Sequence, residues 1–217
     1  MNRSERTFGH IKKTLAGVVL CKDMLVVAPT GHVLRGFLLE TTTERDMVYL
    51  WRVVMPLYRS TTRVFLDYSN RVPSGRKVHV DRNALRESAD TVRHIVGEHI
   101  AFLQNIRTPE EFLRHVSDWI GNSSINFRFD LALTYYLMGE VRQSLQILEQ
   151  LDVEVDRLER KMQMPIDRMI KRAARVAAAD PAGLSSLLDH WEKTNIETLG
   201  LQESLAPSAL GRTPGSL

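Results

Sequence analysis

The chain has 217 residues, 43% hydrophobic and 25% charged, enough apolar side chain to bury a core and too little charge for wholesale disorder. Its 29 basic against 26 acidic residues leave a net charge of +3, which neither demands nor excludes nucleic acid and falls short of the dense basic face of a dedicated duplex binder. A single cysteine, Cys21, excludes an internal disulfide and a multi-cysteine zinc site. It suits a reducing, cytoplasmic setting, and no apolar run approaches the roughly 18 residues of a membrane helix.

In chain order, residues 5–20 read as a helix, because Phe8, Ile11, Leu15 and Val18 fall on one helical face. Lys12 and Lys13 ahead of the run Leu15 to Cys21 imitate an export signal ending in a lipidated cysteine. Leu20 stands where such a signal needs a small residue, and the amphipathic face explains more of the pattern. The period then changes. Met24 to Val27 is a short apolar strand, stopped by Ala28-Pro29-Thr30-Gly31. His32 to Thr41 and Met47 to Met55 are rich in strand formers and flank the polar Thr42-Thr43-Glu44-Arg45-Asp46. This predicts an antiparallel hairpin closed by Pro56. Arg63 to Tyr68 reads as a third long strand and Ser69 to Lys77, with Pro73 and Gly75, as a loop.

From Asp81 on the pattern is helical. Over 82–106, Leu85, Ala89, Val92, Val96, His99 and Leu103 form one narrow stripe at about 100° per residue. Thr108-Pro109-Glu110-Glu111 opens the next helix with an N-cap, a proline and first-turn acids, and Gly121 is expected to end it. A helix over about 124–138 follows, then Gly139. Val141, Leu145, Leu148, Leu151, Val155, Leu158 and Met162 recur at spacings of three and four, which predicts a long helix with a packing seam. Pro165 must kink or end it. Helices over 166–179 and from Asp180-Pro181 complete the set, with Leu184, Leu187, Leu188 and Trp191 inward. The fold class expected is α+β: a small antiparallel sheet in the N-terminal third, then an all-helical part. The expected division is 1–80, 81–205 and a disordered tail over 206–217, the first two forming one cooperative domain.

Leu131, Ala132 and Tyr135, followed by Gly139 and then Ser144, Leu148 and Leu151, resemble a single tetratricopeptide repeat. The resemblance implies a helical hairpin with small residues at the close approach and Tyr135 filling the gap. Ser144 replaces the usual alanine, no proline closes the unit, and no second copy occurs at that period.

No catalytic pattern emerges. His94 and Glu98 lie one turn apart, but His99 points about 140° away from His94, so the cluster lacks metal-ligand geometry. Neither a Gly-x-Ser-x-Gly elbow nor a phosphate loop occurs, and Cys21 is expected at a helix end, where the dipole raises its pKa. No metal and no cofactor are expected. The sheet arginines stand out. Arg35 shares its strand face with Val33, Phe37 and Leu39, and Arg52 shares its face with Leu50 and Val54. If Glu40 pairs with Met47, then Arg35 lies opposite Arg52, and like charges so placed need an anion between them. Arg63 adds a third cation. The anion is an internal acid such as Asp67, or an external carboxylate or phosphate. Arg59, Arg71, Arg76 and Lys77, with Tyr68 interleaved, form a basic stretch suited to single-stranded nucleic acid, and a solvated strand-and-loop face has the same composition. Met162, Met164 and Met169 form either an adaptable surface or core.

The leading expectation is a non-enzymatic interaction or regulatory subunit that presents its helices to another protein chain or to a second copy of itself. With 22 arginines to 7 lysines, a bacterial immunity or defence type would fit. Nucleic-acid binding through the sheet and 59–77 is the second reading. A small hydrolase or transferase for an anionic substrate, with Asp67 or Glu40 as base, is the third.

Overall fold

Apolar and β-branched residues concentrate between Val18 and Pro56, and the turns between them set the strand ends. In the computed structural model, which describes residues 3–81, 83–119, 124–157 and 165–205, this stretch forms β1 (Val18–Cys21), β2 (Met24–Val27), β3 (Val33–Thr41) and β4 (Met47–Pro56). Two short strands, β5 (Asn70–Arg71) and β6 (Val78–His79), both pair with β4, and the main order is β1-β2-β3-β4-β5. β3 and β4 are hydrogen-bonded neighbours, and the Thr42 hydroxyl donates to the Met47 carbonyl at 3.0 Å across their connecting loop. One helix, α1 (Arg3–Lys12), precedes the sheet. After it come α2 (Leu85–Gln104), α3 (Pro109–His115), α4 (Ile125–Leu137), α5 (Val141–Asp156), α6 (Pro165–Ala179) and α7 (Pro181–Leu199). The fold is α+β, with the antiparallel sheet ahead of the helical part. Among the described residues no helix is long and apolar enough to cross a membrane.

Three local expectations are corrected. The first helix stops at Lys12, where Thr14 and Leu15 bond back to the Ile11 carbonyl and Gly17 turns the chain at φ +75°. Val18 to Cys21 then pairs with Met24 to Val27 as a tight hairpin, so strand pairing of β-branched residues prevails over a helical spacing. Arg63 to Tyr68 is not a strand: Ser69 N–H closes a turn on Leu66, and Phe65 N–H is taken by the Met55 sulfur at 3.4 Å. The helix opened by Thr108 forms its full capping box but ends at His115, short of Gly121. Pro165 begins α6, the helical position where a missing N–H costs nothing. Gly121, Leu158, Met162, Met164 and the tail over 206–217 lie outside the described residues.

Two compact units divide the chain. One gathers Met1–Met55, Arg63–Arg107 and Ile196–Leu217, the other Pro56–Thr62 and Thr108–Asn195. In the first unit α1 packs on α2, β1 and β2, and α2 on β2 and β3. Val92, Val96 and Leu103 of α2 are fully buried, as are Leu25, Phe37 and Leu50 of the sheet. Gly36 is needed where β2 and β3 approach. A Cβ there would lie 2.4 Å from the Leu25 oxygen and 3.1 Å from the Val26 Cα.

In the second unit α4 and α5 pack as a helical hairpin across Met138–Glu140, with Gly139 in the left-handed region at φ +85°. Ala132 and Ser144 are fully buried, where the helices need small residues. The α5 seam, Leu148, Leu151 and Val155, is used within this unit's own core, together with Phe129, Ile170 and Trp191. The gap-filling tyrosine is Tyr136 rather than Tyr135. Tyr136 packs against that core, and its hydroxyl donates to the Pro181 carbonyl at 2.6 Å.

Gly36→Ala should destabilise the protein by about 1–3 kcal/mol in denaturant unfolding, because backbone rather than a flexible side chain must yield. Tyr136→Ala should cost about 2 kcal/mol or more and Tyr135→Ala less than about 1 kcal/mol. Equal melting temperatures for the two tyrosine variants would contradict this assignment.

Candidate functional site

Alternation along β4 sends successive side chains to opposite faces of the sheet. Val48, Leu50, Arg52 and Val54 point one way, and Tyr49, Trp51, Val53 and Met55 the other. The first set faces α2. There Arg35 and Arg52 come to the same side, as the strand pattern predicts, but in different environments.

Arg35 is fully buried. Its guanidinium donates to the Val33 carbonyl at 3.4 Å, Leu103 at 3.3 Å, Val27 at 3.3 Å and, in a short contact, Pro29. Those donors are committed to backbone oxygens, which makes Arg35 a structural group. Arg52 is half-buried. Its Nη1 lies 3.4 Å from His99 Nδ1, its guanidinium carbon lies 4.0 Å from the Phe102 ring centroid, and its Nε has no hydrogen-bond partner. Burial pushes the Arg52 pKa down. Burial also holds the His99 imidazole below its ordinary value, with the neighbouring Arg52 cation adding to the shift and Glu98 opposing it. Arg63 is exposed in the irregular segment after β4.

The other face carries a stack. Register places Arg71 of β5 directly opposite Trp51 of β4, and Val78 of β6 opposite Val48. Continuing that register sets Lys77 beside Tyr49. The Arg71 guanidinium consequently lies 3.7 Å from the Tyr49 ring centroid and 4.7 Å from that of Trp51, with Lys77 Nζ 6.0 Å from the Tyr49 ring. Glu40 on β3 accepts from the Trp51 indole N–H at 2.7 Å and from Arg71 at 3.4 Å. Glu44 pairs with Lys77 and raises its pKa through that hydrogen bond. The stack is half-exposed and balanced in charge: two cations, two carboxylates, two aromatic rings.

The sequence-predicted nucleic-acid residues part company. Arg71 and Lys77 join the stack, and Arg76 is exposed in the turn between β5 and β6. Tyr68 is buried against Phe65, edge-on at 6.4 Å. Arg59 belongs to the second unit, where it is buried in an ion pair with Asp130 at 2.7 Å. Beside it Tyr58 hydrogen-bonds Thr134 at 2.7 Å, and Asn195 donates to the carbonyls of Leu57 and Arg59 at 2.6 Å each. This network holds the chain from Leu57 to Thr61 and presents no charge outward. Sequence reasoning missed Tyr49 and Trp51 as site residues. Their shared parity on a strand whose opposite face is apolar was the available signal.

His94 and Glu98 form an exposed pair at 3.4 Å. Among the described residues no group of three or more His, Cys, Asp or Glu side chains could hold a metal. Cys21 sits at the end of β1, not of a helix. Burial pushes its thiol up, with Glu203 adding to the shift, so it is a weak nucleophile. No family model, curated protein or solved structure matches this chain.

Arg52→Met should raise the His99 pKa, because it removes a cation beside the imidazole. An NMR titration of the His99 ring protons in parent and variant checks this, and an unchanged or lower value would show that the two side chains do not meet.

Proposed function

We propose that this chain is a non-enzymatic, cytoplasmic interaction or regulatory protein that contacts another protein chain through the outer face of β4, centred on Trp51 and Arg71. The observation that supports this is the half-exposed Tyr49–Arg71–Trp51 stack with its charges already balanced by Glu40 and Glu44. Tryptophan, tyrosine and arginine are the side chains that contribute most to protein interfaces. Here they are held in place before binding, which lowers the ordering cost of association. The helical seam offers less, since its apolar residues are used internally. An enzyme acting on an anion is disfavoured by the same geometry. Glu40, one candidate base, is engaged on the outer face, while Arg52 lies on the other.

Nucleic acid is the second reading. Arg71, Arg76 and Lys77 beside two aromatic rings suit a single strand that stacks its bases. Against it, internal carboxylates neutralise two of those cations, and a phosphate chain would have to displace them.

The partner is to be identified by capture from the source cell and its affinity measured by calorimetry, with a second copy tested by sedimentation. Trp51→Ala and Arg71→Ala should each weaken the partner's binding by about 2 kcal/mol, roughly thirtyfold, with little change in melting temperature. Unchanged affinity in both would overturn the reading. Retention on heparin or single-stranded DNA that falls with salt and depends on Arg71 and Lys77 would replace it with the nucleic-acid one.

A further inference from the structure

Away from β4, α1 and α2 pack along each other and leave a cleft of about 330 Å³ between the end of α1 and the first half of α2. Ile11 and Ala89 close it from below and are themselves buried, 1% and 4% exposed. Its walls carry His10, Arg86 and Arg93 against one carboxylate, Asp90, which is tied to Arg93 at 3.2 Å. Arg86 makes no hydrogen bond and no ion pair among the described residues. It stands in the first turn of α2, where the helix dipole is positive, and the N-cap residue Ala84 supplies no side-chain hydrogen bond there. Glu87, the acid of that turn, does not line the cleft. A second cavity of about 440 Å³ adjoins through Arg93 and extends along α2 to Glu98.

We propose that this cleft binds a small anion, a phosphate or a carboxylate. The volume is that of a small-ligand site, and the lining open to a ligand is mainly polar. Arg86 offers a guanidinium fork with no partner among the described residues, the donor geometry that suits either anion. Arg93 holds Asp90 in a pair and so removes the repulsion an isolated carboxylate would exert. His10 supplies a further ring nitrogen. None of these residues belongs to the Trp51 face, so the inference stands apart from the partner-binding reading.

Two-dimensional NMR of the full chain, titrated at constant ionic strength with inorganic phosphate, adenosine monophosphate and benzoate, tests it. Saturable shifts confined to residues 10–14 and 86–93 are expected. A preference for the nucleotide or for benzoate then assigns phosphate or carboxylate. Arg86→Gln should weaken the best probe about tenfold, while Arg142→Gln, on the exposed face of α5, should leave it unchanged, with the remaining resonances of each variant reporting an intact fold. The proposal is overturned if no probe saturates or if Arg86→Gln binds as the parent does.

Discussion

The first unit depends on one buried charge. Moving a guanidinium out of water costs several kcal/mol unless every donor finds an acceptor. Arg35 meets that demand with carbonyls from four places: the end of β2, the Pro29 turn, the start of β3 and the last turn of α2. The carbonyls at a helix C-terminus carry partial negative charge, and α2 has no basic residue of its own in that turn. A cation from the neighbouring strand therefore completes the helix end, and the helix end in turn makes a charge tolerable in the sheet. An apolar residue at this position would take a donor away from each of these carbonyls, and a lysine could not reach several of them in one plane.

With α2 fixed by Arg35 on one side of the sheet, the two faces of β4 acquire different characters. Arg52, Phe102 and His99 lie between strand and helix, partly shielded, with the imidazole disfavoured in its charged form. Tyr49 and Trp51 lie on the other face, where two short strands bring Arg71 and Lys77 over them. The same strand thus supplies a structural contact and a presentable one.

How much of this was legible in the sequence follows from the range of the forces involved. The β3–β4 hairpin, the Thr108 capping box and the left-handed Gly139 were readable because each is decided by residues within a few positions. Val18 to Cys21 was misread because its spacing fits a helix as well as a strand, and only the pairing with β2 decides between them. Arg63 to Tyr68 has strand-forming residues, but a turn closes on Leu66 and the Met55 sulfur takes the Phe65 amide. Among the charged residues the alternation rule correctly put Arg35 and Arg52 on one side. It could not say that Arg35 would be satisfied by backbone oxygens, or that Arg59 would find Asp130 across a gap of seventy-one positions. Counterions chosen by tertiary approach leave no local mark.

The Thr30 hydroxyl and backbone meet Ser204, and Thr30 bridges Leu205 in parallel, so contacts of the first unit span 174 residues of chain. That unit is assembled from three separated pieces, with the second unit's segments intervening. During synthesis the segment that pairs with Thr30 follows the sheet and α2 only after the second unit's residues. Residues 56–62 and 108–195 belong to the other unit and are translated in the interval. The order of manufacture and the order of closure therefore differ: every residue of the second unit is made before the segment that closes the first.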